Sequence, residues 1–306
     1  MDQNQDNFRP GYLKLWKENQ LTTLMESAYR ELENCRLCPH ECGVNRRKGE
    51  KGVCQTGEKA RVASAFPHIG EEAVLVGRKG SGTIFFSHCN LLCIFCQNYD
   101  ISHLGQGRTL SAADLGDIMI KLQKQGCHNI NLVTPSHVIP QCIAGVHTAV
   151  QDGLNVPIVY NSGGYDSVNG LKMLDGFIDI YMPDLKFSDN ATAGKYTIAK
   201  DYFSVMCEAL KEMYAQVGPL QVDERNIAKK GMIVRHLILP NALAGSKAIF
   251  QLIKQTAPGA AVNVMPQYYP AYKSFDQPEL SKAPTYAELN QARKMAKEMG
   301  LNFLSR

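Results

Sequence analysis

The chain has 306 residues, of which 44% are hydrophobic, and a formal net charge of +4. A chain of this length and hydrophobic content can bury one large core plus a small second core. The mild positive charge is spread along the chain and forms no concentrated basic stripe, so a nucleic-acid partner is not expected. The N-terminus lacks the pattern of a signal peptide and no stretch approaches the roughly 20 apolar residues of a membrane span, which predicts a cytoplasmic protein without a membrane partner.

Ten cysteines in such a chain favour metal or redox chemistry over disulfides. Four of them lie in a segment over residues 31–65, which follows an N-terminal helical extension over residues 1–30. They have the spacing C-x2-C-x3-C-x11-C and are Cys35, Cys38, Cys42 and Cys54. Four soft ligands suit tetrahedral zinc or an iron–sulfur cluster, and the spacing does not choose between them. His40 is expected to be an exposed loop residue instead of a ligand.

From residue 81 onward, short apolar runs alternate with longer amphipathic runs, as in parallel βα units. The predicted strands are 82–87, 129–134, 156–161, 177–182, 231–239 and 260–265. Helices are predicted over residues 110–125, from the second strand through about residue 151, between the remaining strands, and within residues 285–301. That last helix is expected to pack Tyr286, Leu289, Ala292 and Met295 against the outer layer.

The first predicted strand is not followed by the glycine-rich fingerprint of a dinucleotide-binding fold, which favours a whole or partial (β/α) barrel over a doubly wound sheet. Polar side chains instead follow the carboxyl ends of successive strands. They are His88, Cys89, Cys93 and Cys96; Pro135, Ser136 and His137; Asn161 to Tyr165; Pro183 to Lys186; Pro240 and Asn241; and Pro266 to Tyr272. Because ligands bind at this end of a barrel, these loops predict one functional site.

The loop after the first strand, SHCNLLCIFCQNY, places Cys89, Cys93 and Cys96 in the spacing C-x3-C-x2-C. Three thiolates bind three irons of a cubane cluster and leave one iron open to a small molecule, and an open position is a catalytic feature. The alternative is a closed site with Cys127 as fourth ligand, but Cys127 ends a predicted helix and is expected to point away. The isolated cysteines 127, 142 and 207 are therefore interpreted as small buried hydrophobes.

With Phe95 at the aromatic position before the last cysteine, this loop resembles the signature of the radical S-adenosylmethionine (radical SAM) superfamily. More narrowly, the chain resembles uncharacterised relatives of pyruvate formate-lyase activating enzyme over nearly everything beyond residue 30. The matching motifs are CRLCPHECGVNRRKGEKGVC, SGTIFFSHCNLLCIFCQNYDIS, HNINLVTPSH, IVYNSGGYDS, DIYMPDLKF, VRHLILPN and MPQYYPAY. The resemblance implies a partial (β/α)6 barrel of the radical SAM type over residues 75–306, preceded by a small cysteine-rich metal-binding segment.

The resemblance also implies the chemistry. Cys89, Cys93 and Cys96 would hold a 4Fe-4S cluster whose open iron takes the amine and carboxylate of S-adenosylmethionine. An electron from a donor such as flavodoxin or ferredoxin would cleave this cofactor to methionine and a 5'-deoxyadenosyl radical, which abstracts a hydrogen from the substrate. The protein would contribute positioning, charge and exclusion of water.

Further cofactor-binding residues are implied position by position. Met182, Asp184 and Lys186 match a Met-x-Asp-x-Lys stretch that contacts the cofactor in activating enzymes. Lys186 would face the methionyl carboxylate, and Asp184 would partner the methionyl amine or a monovalent cation.

Two departures from the activating enzymes concern the neighbouring loops. Thr134 to His137 replaces a Gly-Gly-Glu stretch, which leaves Ser136 as a neutral acceptor for the methionyl amine. Asn161 and Ser162, followed by two glycines, replace Asp-Thr-Asn-Gly, so one negative charge is lost and the contacts to ribose or a cation should differ.

Three functions remain open at this point. The first is an activase that makes a glycyl radical on a partner protein, and the second is a radical SAM enzyme acting on a small molecule or on a non-glycyl residue, with His137 and the PQYYPAY segment lining its pocket. The third is a non-catalytic iron–sulfur electron carrier, which the open coordination position disfavours.

Overall fold

The structure, a computed structural model, describes residues 8–304. Its strands are β1 (Arg61–His68), β2 (Ser81–Phe86), β3 (Arg108–Thr109), β4 (Ile130–Val133), β5 (Ile158–Ser162), β6 (Ile180–Leu185), β7 (Gln221–Val222), β8 (Ala228–Leu237), β9 (Ala261–Met265) and β10 (Asn302–Phe303). Its α-helices are α1 (Gly11–Lys17), α2 (Gln20–Arg30), α3 (Ala73–Val76), α4 (Tyr99–Ser102), α5 (Ala112–Lys124), α6 (Ile139–Gln151), α7 (Val168–Lys172), α8 (Asn190–Tyr196), α9 (Tyr202–Val217), α10 (Ser246–Thr256) and α11 (Tyr286–Glu298). No helix within residues 8–304 is long and apolar enough to cross a membrane.

The six strands predicted from the sequence are β2, β4, β5, β6, β8 and β9, and they pair in that order with every pair parallel. Helices connect them, as expected for βα units. β10 extends the sheet in parallel beyond β9, and β1 and β3 extend it in antiparallel beyond β2. Among the described residues the sheet runs from β3 to β10 without closing, so the fold is a mixed α/β sheet with an open side.

The two faces of the sheet have separate apolar cores. Successive residues of a strand point to opposite faces, and in β6 Ile180 and Met182 join a smaller cluster with α3, whereas Tyr181 points toward the helices and its hydroxyl donates a 2.7 Å hydrogen bond to Gln216 of α9. The smaller cluster fills the face that α3 covers, opposite to α9. It consists of Val74, Leu75, Val159, Ile180, Met182, Ala228, Ile233 and Ala261.

The predicted helices over residues 110–125 and within 285–301 are present as α5 and α11, and the predicted placement of Cys127 is confirmed. Ser111 caps α5 in a capping box with Asp114, and Thr285 caps α11 in the same way with Glu288. Cys127 is 3% exposed and lies against Gly82 of β2, which is the end of the strand remote from the cysteine loop.

One other prediction is wrong in detail, and one strand was missed. Tyr286 does not join the apolar side of α11 and is 78% exposed. It is the first residue of the helix and lies beyond the layer against which α11 packs. The strand β1 was not predicted, and it crosses residue 65, the expected end of the cysteine-rich segment. Its pattern of half-buried small and polar residues, with a proline at position 67, lacks the alternation typical of a strand.

Candidate active site

A cavity of about 340 Å³ lies at the carboxyl ends of the parallel strands. Residues that follow β2, β4, β5, β6 and β9 meet there, as the sequence predicts, together with residues within β8. The prediction is wrong for Pro240 and Asn241, which follow β8 and do not line the cavity, since Asn241 bonds to Glu279 and Glu288 instead. Its polar and sulfur-bearing lining residues are Glu71, His88, Cys89, Cys93, Cys96, Gln97, Asn98, Ser102, Thr134, Asn161, Ser162, Asp184, Lys186, Arg235, Met265, Gln267 and Tyr268. One wall of the cavity carries the three thiols, and another carries a group of charged side chains.

The thiol wall is the loop between β2 and α4. Left-handed backbone at His88 (φ 68°) and Leu92 (φ 45°) turns the chain tightly on either side of Cys89. Two of the sulfur atoms accept hydrogen bonds: the Leu91 N–H lies 3.3 Å from Cys89 Sγ, and the Ser102 hydroxyl lies 3.1 Å from Cys96 Sγ. Donors directed at cysteine sulfur tune iron–sulfur clusters, so this loop has the donor set and the supporting contacts of a cluster site.

The charged wall is formed by Asp184, Lys186 and Arg235. The Lys186 ammonium lies 2.6 Å from Asp184 Oδ2, and Arg235 Nε lies 2.7 Å from Asp184 Oδ1. Arg235 also donates to Asn161 Oδ1 at 2.7 Å, which ties β8 to β5 across β6. All three charged side chains are only 13–14% exposed, so their interactions are little screened by solvent.

The pKa shifts on this wall follow from burial and proximity. Burial alone would raise the pKa of Asp184, but Arg235 and Lys186 outweigh it and hold that pKa below its usual range. Burial raises the pKa of the Cys93 thiol, and Lys186 opposes that rise because its positive charge lies near the sulfur. Lys186 is therefore a fixed positive charge between the thiol loop and Asp184.

Five of the predicted cofactor residues line this cavity, namely Phe95, Asn161, Ser162, Asp184 and Lys186. Phe95 is buried and packs its ring edge-on against Phe187 and Tyr268. The Ser162 hydroxyl is already engaged, since it donates to Asp166 Oδ2 at 2.6 Å.

Ser136 and Met182 do not line the cavity. Ser136 is 2% exposed and belongs to a buried network in which its hydroxyl lowers the pKa of Asp166, against the larger raising effect of burial. Met182 is fully buried in the smaller apolar cluster, because it lies two residues before Asp184 on the same face of β6 and therefore deeper in the fold.

Arg235 and Glu71 are prominent in the site and were missed by the sequence analysis. Arg235 Nη1 lies 3.1 Å from Glu71 Oε2 while its other nitrogens bind Asp184 and Asn161. A single arginine inside the apolar run GMIVRHLIL was a usable signal, because a charge in the middle of a buried strand requires partners. Glu71 lies in an irregular loop before α3, where no periodic pattern indicates which way it points.

The second cysteine group lies beside this site. Cys35, Cys38, Cys42 and Cys54 line a small cavity of about 10 Å³, together with Arg46, Gly52 and His137. Burial, and to a smaller extent the three other thiols, raise the pKa of Cys38 to about 12, although a backbone hydrogen bond from His40 opposes them. A Cβ atom at position 52 would lie 2.6 Å from Cys42 Sγ, so the glycine there is needed for the close approach.

Arg46 and His40 connect the cysteine-rich segment to the loops of the main cavity. Arg46 is 1% exposed, and its guanidinium donates to the His137 carbonyl at 2.8 Å and to the Gly57 carbonyl at 2.9 and 3.0 Å. His40 is half-buried, contrary to the prediction of an exposed loop residue, because its Nε2 donates to the Asn90 carbonyl at 2.6 Å. Asn90 directly follows Cys89, so the two cysteine regions are in contact.

His137 is not available to a substrate in the main cavity. It is 1% exposed, its Nε2 donates to the Ser87 carbonyl at 2.9 Å, and burial lowers its pKa to about 3. The expectation that His137 lines a substrate pocket is therefore wrong, whereas Gln267 and Tyr268 of the PQYYPAY segment do line the cavity.

Within residues 8–304, no three His, Cys, Asp or Glu side chains are already arranged as the ligand set of a metal ion. The thiols of each group do share one cavity, and sulfur-directed donors reach both groups: the Val53 N–H lies 3.5 Å from Cys42 Sγ in the second. The donor types of both groups therefore suit a thiophilic metal.

Comparisons with known proteins place the chain in a family. No protein-family model matches it. Among solved structures, methylornithine synthase (PylB) overlaps with a TM-score of 0.47 and 14% identity over 94% of this chain and 81% of that chain, an overlap too loose to assign a function. The chain is 33% identical over 310 residues to the uncharacterized protein MJ0674 of Methanocaldococcus jannaschii, covering 98% of this chain and 85% of that protein. The chain therefore belongs to the family of MJ0674.

Proposed function

We propose that the chain is a radical SAM enzyme whose reaction begins in the cavity at the carboxyl ends of the parallel strands. The observation that supports this most is the arrangement of Cys89, Cys93 and Cys96 on one wall, with Lys186 and Asp184 facing them across the same cavity. Three thiols, no fourth cysteine among the residues lining the cavity and a nearby fixed cation favour a cluster with one open iron over a closed structural site.

When bound, a 4Fe-4S cluster on these thiols would supply the electron that cleaves S-adenosylmethionine to a 5'-deoxyadenosyl radical. The chain's own residues bind and orient S-adenosylmethionine. Lys186 provides a cation for the methionyl carboxylate, and Asp184 provides an acceptor for the methionyl amine. Arg235, which is itself held by its bond to Asn161 Oδ1, holds Asp184 in place, so the carboxylate is positioned before any ligand arrives.

The test is anaerobic reconstitution with iron and sulfide, followed by dithionite and S-adenosylmethionine. Formation of 5'-deoxyadenosine is the expected result. An intact cluster, verified by its absorbance, that yields no 5'-deoxyadenosine would rule out radical SAM catalysis and favour the electron-carrier function.

We further propose that the reducing partner is an acidic electron donor of the flavodoxin or ferredoxin kind. A surface cleft of about 340 Å³ beside the thiol loop supports this proposal, because basic side chains dominate its lining. These are Arg46, Arg47, Lys51, Lys59, Arg61 and His88, with Glu58 as the acid among them. His88 lies in both this cleft and the main cavity, next to Cys89, so a donor bound there would be close to the thiols. A reduction rate that falls steeply with added salt would support this docking site, and a salt-independent rate would contradict it.

For the second cysteine group we propose a single metal ion, zinc, held by Cys35, Cys38, Cys42 and Cys54. A cavity of about 10 Å³ has room for about one small ion or water, not for a four-iron cluster. Four thiolates around one tetrahedral ion make a closed, structural site. Its position against the Asn90 and His137 loops suggests that it braces the wall of the main cavity.

Two classes of substrate are proposed, a glycyl-radical protein and a small molecule. Activation of a glycyl-radical protein, as the resemblance implies, predicts that the reduced enzyme with S-adenosylmethionine generates a glycyl radical signal on such a partner. The alternative, hydrogen abstraction from a small molecule, is favoured by a second cavity that opens off the first and shares Glu71 and Arg235 with it.

A further inference from the structure

A second cavity, here named the side cleft, has a volume of about 700 Å³ and follows the open side of the sheet. Its lining comes from the loop before α3, from α3 itself, from β7 and from β8 to β10. It shares five residues with the main cavity, namely Gly70, Glu71, Arg235, Met265 and Gln267. A molecule in the side cleft would therefore lie next to the proposed site of radical formation.

Glu72 is a buried carboxylate of this cleft, and one of its two oxygens lacks a hydrogen-bond partner. The residue is 8% exposed, and its Oε1 accepts a 2.9 Å hydrogen bond from Asn263 Nδ2. Its Oε2 has no hydrogen-bond partner among the described residues. A buried carboxylate oxygen without a donor is costly, which points to a ligand or a proton that this structure does not include.

The charges around Glu72 do not balance. Glu71, Glu72 and Asp184 contribute three carboxylates, whereas Arg235 and Lys186 contribute two cations. His68 also faces Glu71, with Nδ1 3.5 Å from Oε1, but burial lowers the pKa of His68 and favours its neutral form.

The excess of acidic side chains also affects the pKa of Glu71. Burial raises the pKa of Glu71 to about 7, with Glu72 adding to the rise and Arg235 opposing it. A cation bound beside the two glutamates would oppose this rise and favour the ionised form of Glu71.

Apolar side chains form much of the remaining wall of the side cleft, beside the neutral side chains of Asn226, Asn263, Gln267 and Asn302. The apolar side chains include Val74, Val76, Leu220, Val222, Phe303 and Leu304. A bare metal ion needs neither apolar walls nor a cavity of about 700 Å³. The lining instead suits a molecule with an aliphatic body and one positively charged end.

We propose that the side cleft binds the substrate through an aliphatic chain that ends in an ammonium or guanidinium group, with Glu72 as its countercharge. This inference rests on the proposed function, because it places the substrate beside the cavity in which the radical would form. The charged end pairs with the Glu72 carboxylate, and the chain lies along the apolar wall toward Val222.

The test compares two probes of the same shape, pentylammonium and 1-pentanol, by calorimetric titration of the anaerobically reconstituted full chain. Pentylammonium is expected to bind at least about tenfold more tightly than pentanol, because only the amine pairs with the buried carboxylate. In Glu72→Gln the preference for the amine should disappear, since the amide keeps the shape and removes the charge. The matched control Glu26→Gln changes an exposed glutamate on α2 and should keep the preference.

Equal binding of the two probes to the unmodified chain, or a preference that survives Glu72→Gln, would overturn the inference. If Glu72→Gln does not fold, Val222→Trp takes its place, because an indole on this cleft-lining residue fills the apolar wall without touching the acids. Amine binding that persists unchanged in Val222→Trp would equally contradict it.

The inference and the proposed function fail in different ways. In the same preparation, 5'-deoxyadenosine formation without amine binding overturns only the substrate class. Amine binding without 5'-deoxyadenosine formation overturns the radical SAM proposal and leaves a cation-binding cleft.

Discussion

The two cysteine regions of this chain differ in what surrounds their thiols. Cys89, Cys93 and Cys96 line a cavity of about 340 Å³ that also holds Lys186 and Asp184. The four cysteines of residues 31–65 line a cavity of about 10 Å³, closed by a glycine, a buried arginine and backbone. Similar spacings in sequence thus lead to an open site and a closed site, and the difference lies in the space and charge next to the sulfur atoms.

The largest difference between the regions is expected in catalysis. Cys93→Ala should abolish the oxygen-sensitive absorbance of the open site and all cleavage of S-adenosylmethionine, because it removes one of three ligands. The measurement is 5'-deoxyadenosine formation by chromatography. Cys207→Ala, which removes a half-buried thiol on α9, is the matched control and should retain both properties. Cleavage that persists in Cys93→Ala would contradict the assignment of the open site.

The closed site should instead affect metal content and stability. Cys35→Ala is expected to lose about one zinc per chain and to unfold at lower denaturant, because structural zinc contributes directly to folding. Metal analysis beside a urea titration measures both. Loss of about four irons in Cys35→Ala would show a second cluster and remove the contrast between the regions.

Arg46 tests whether the two regions are mechanically joined. Arg46→Met leaves the buried carbonyl of His137 and the half-buried carbonyl of Gly57 without their donor and should lower the free energy of unfolding by about 3 kcal/mol. Chemical denaturation measures this change. Arg47→Met, with a side chain 47% exposed, is the control and should change stability by less than about 0.5 kcal/mol. Equal effects of the two substitutions would argue against the connection.

The smallest expected effect concerns Lys186. Lys186→Ala should weaken S-adenosylmethionine binding by about tenfold while iron content stays unchanged, because one charge-assisted contact is lost and the thiols remain. Equilibrium binding and iron analysis on the same sample separate the two properties. Unchanged affinity would remove Lys186 from the cofactor site.

Much of the fold follows from the sequence. The apolar runs that became β2, β4, β5, β6, β8 and β9 are short, rich in β-branched residues and bounded by turns, so periodicity and length were sufficient. β1 was missed because it pairs at the outer side of β2, where exposed Phe66 and Pro67 interrupt any alternation.

The site was predictable at the level of loops but not of side-chain direction. Residues after strand ends were expected to converge, and Asn161, Asp184 and Lys186 do line one cavity. Ser136 points elsewhere because the chain turns through a left-handed residue at Thr134 (φ 61°), a backbone feature that residue type does not predict. Arg235 and Glu71 meet across 164 positions of sequence, a pairing that only the tertiary structure reveals.

We propose above all that the three-thiol cavity is an open cluster site that activates S-adenosylmethionine. The most direct measurement is 5'-deoxyadenosine formation by the reconstituted, dithionite-reduced chain. We predict that the unmodified chain and Cys207→Ala form 5'-deoxyadenosine and that Cys93→Ala does not. A fully loaded cluster that forms no 5'-deoxyadenosine would contradict the claim.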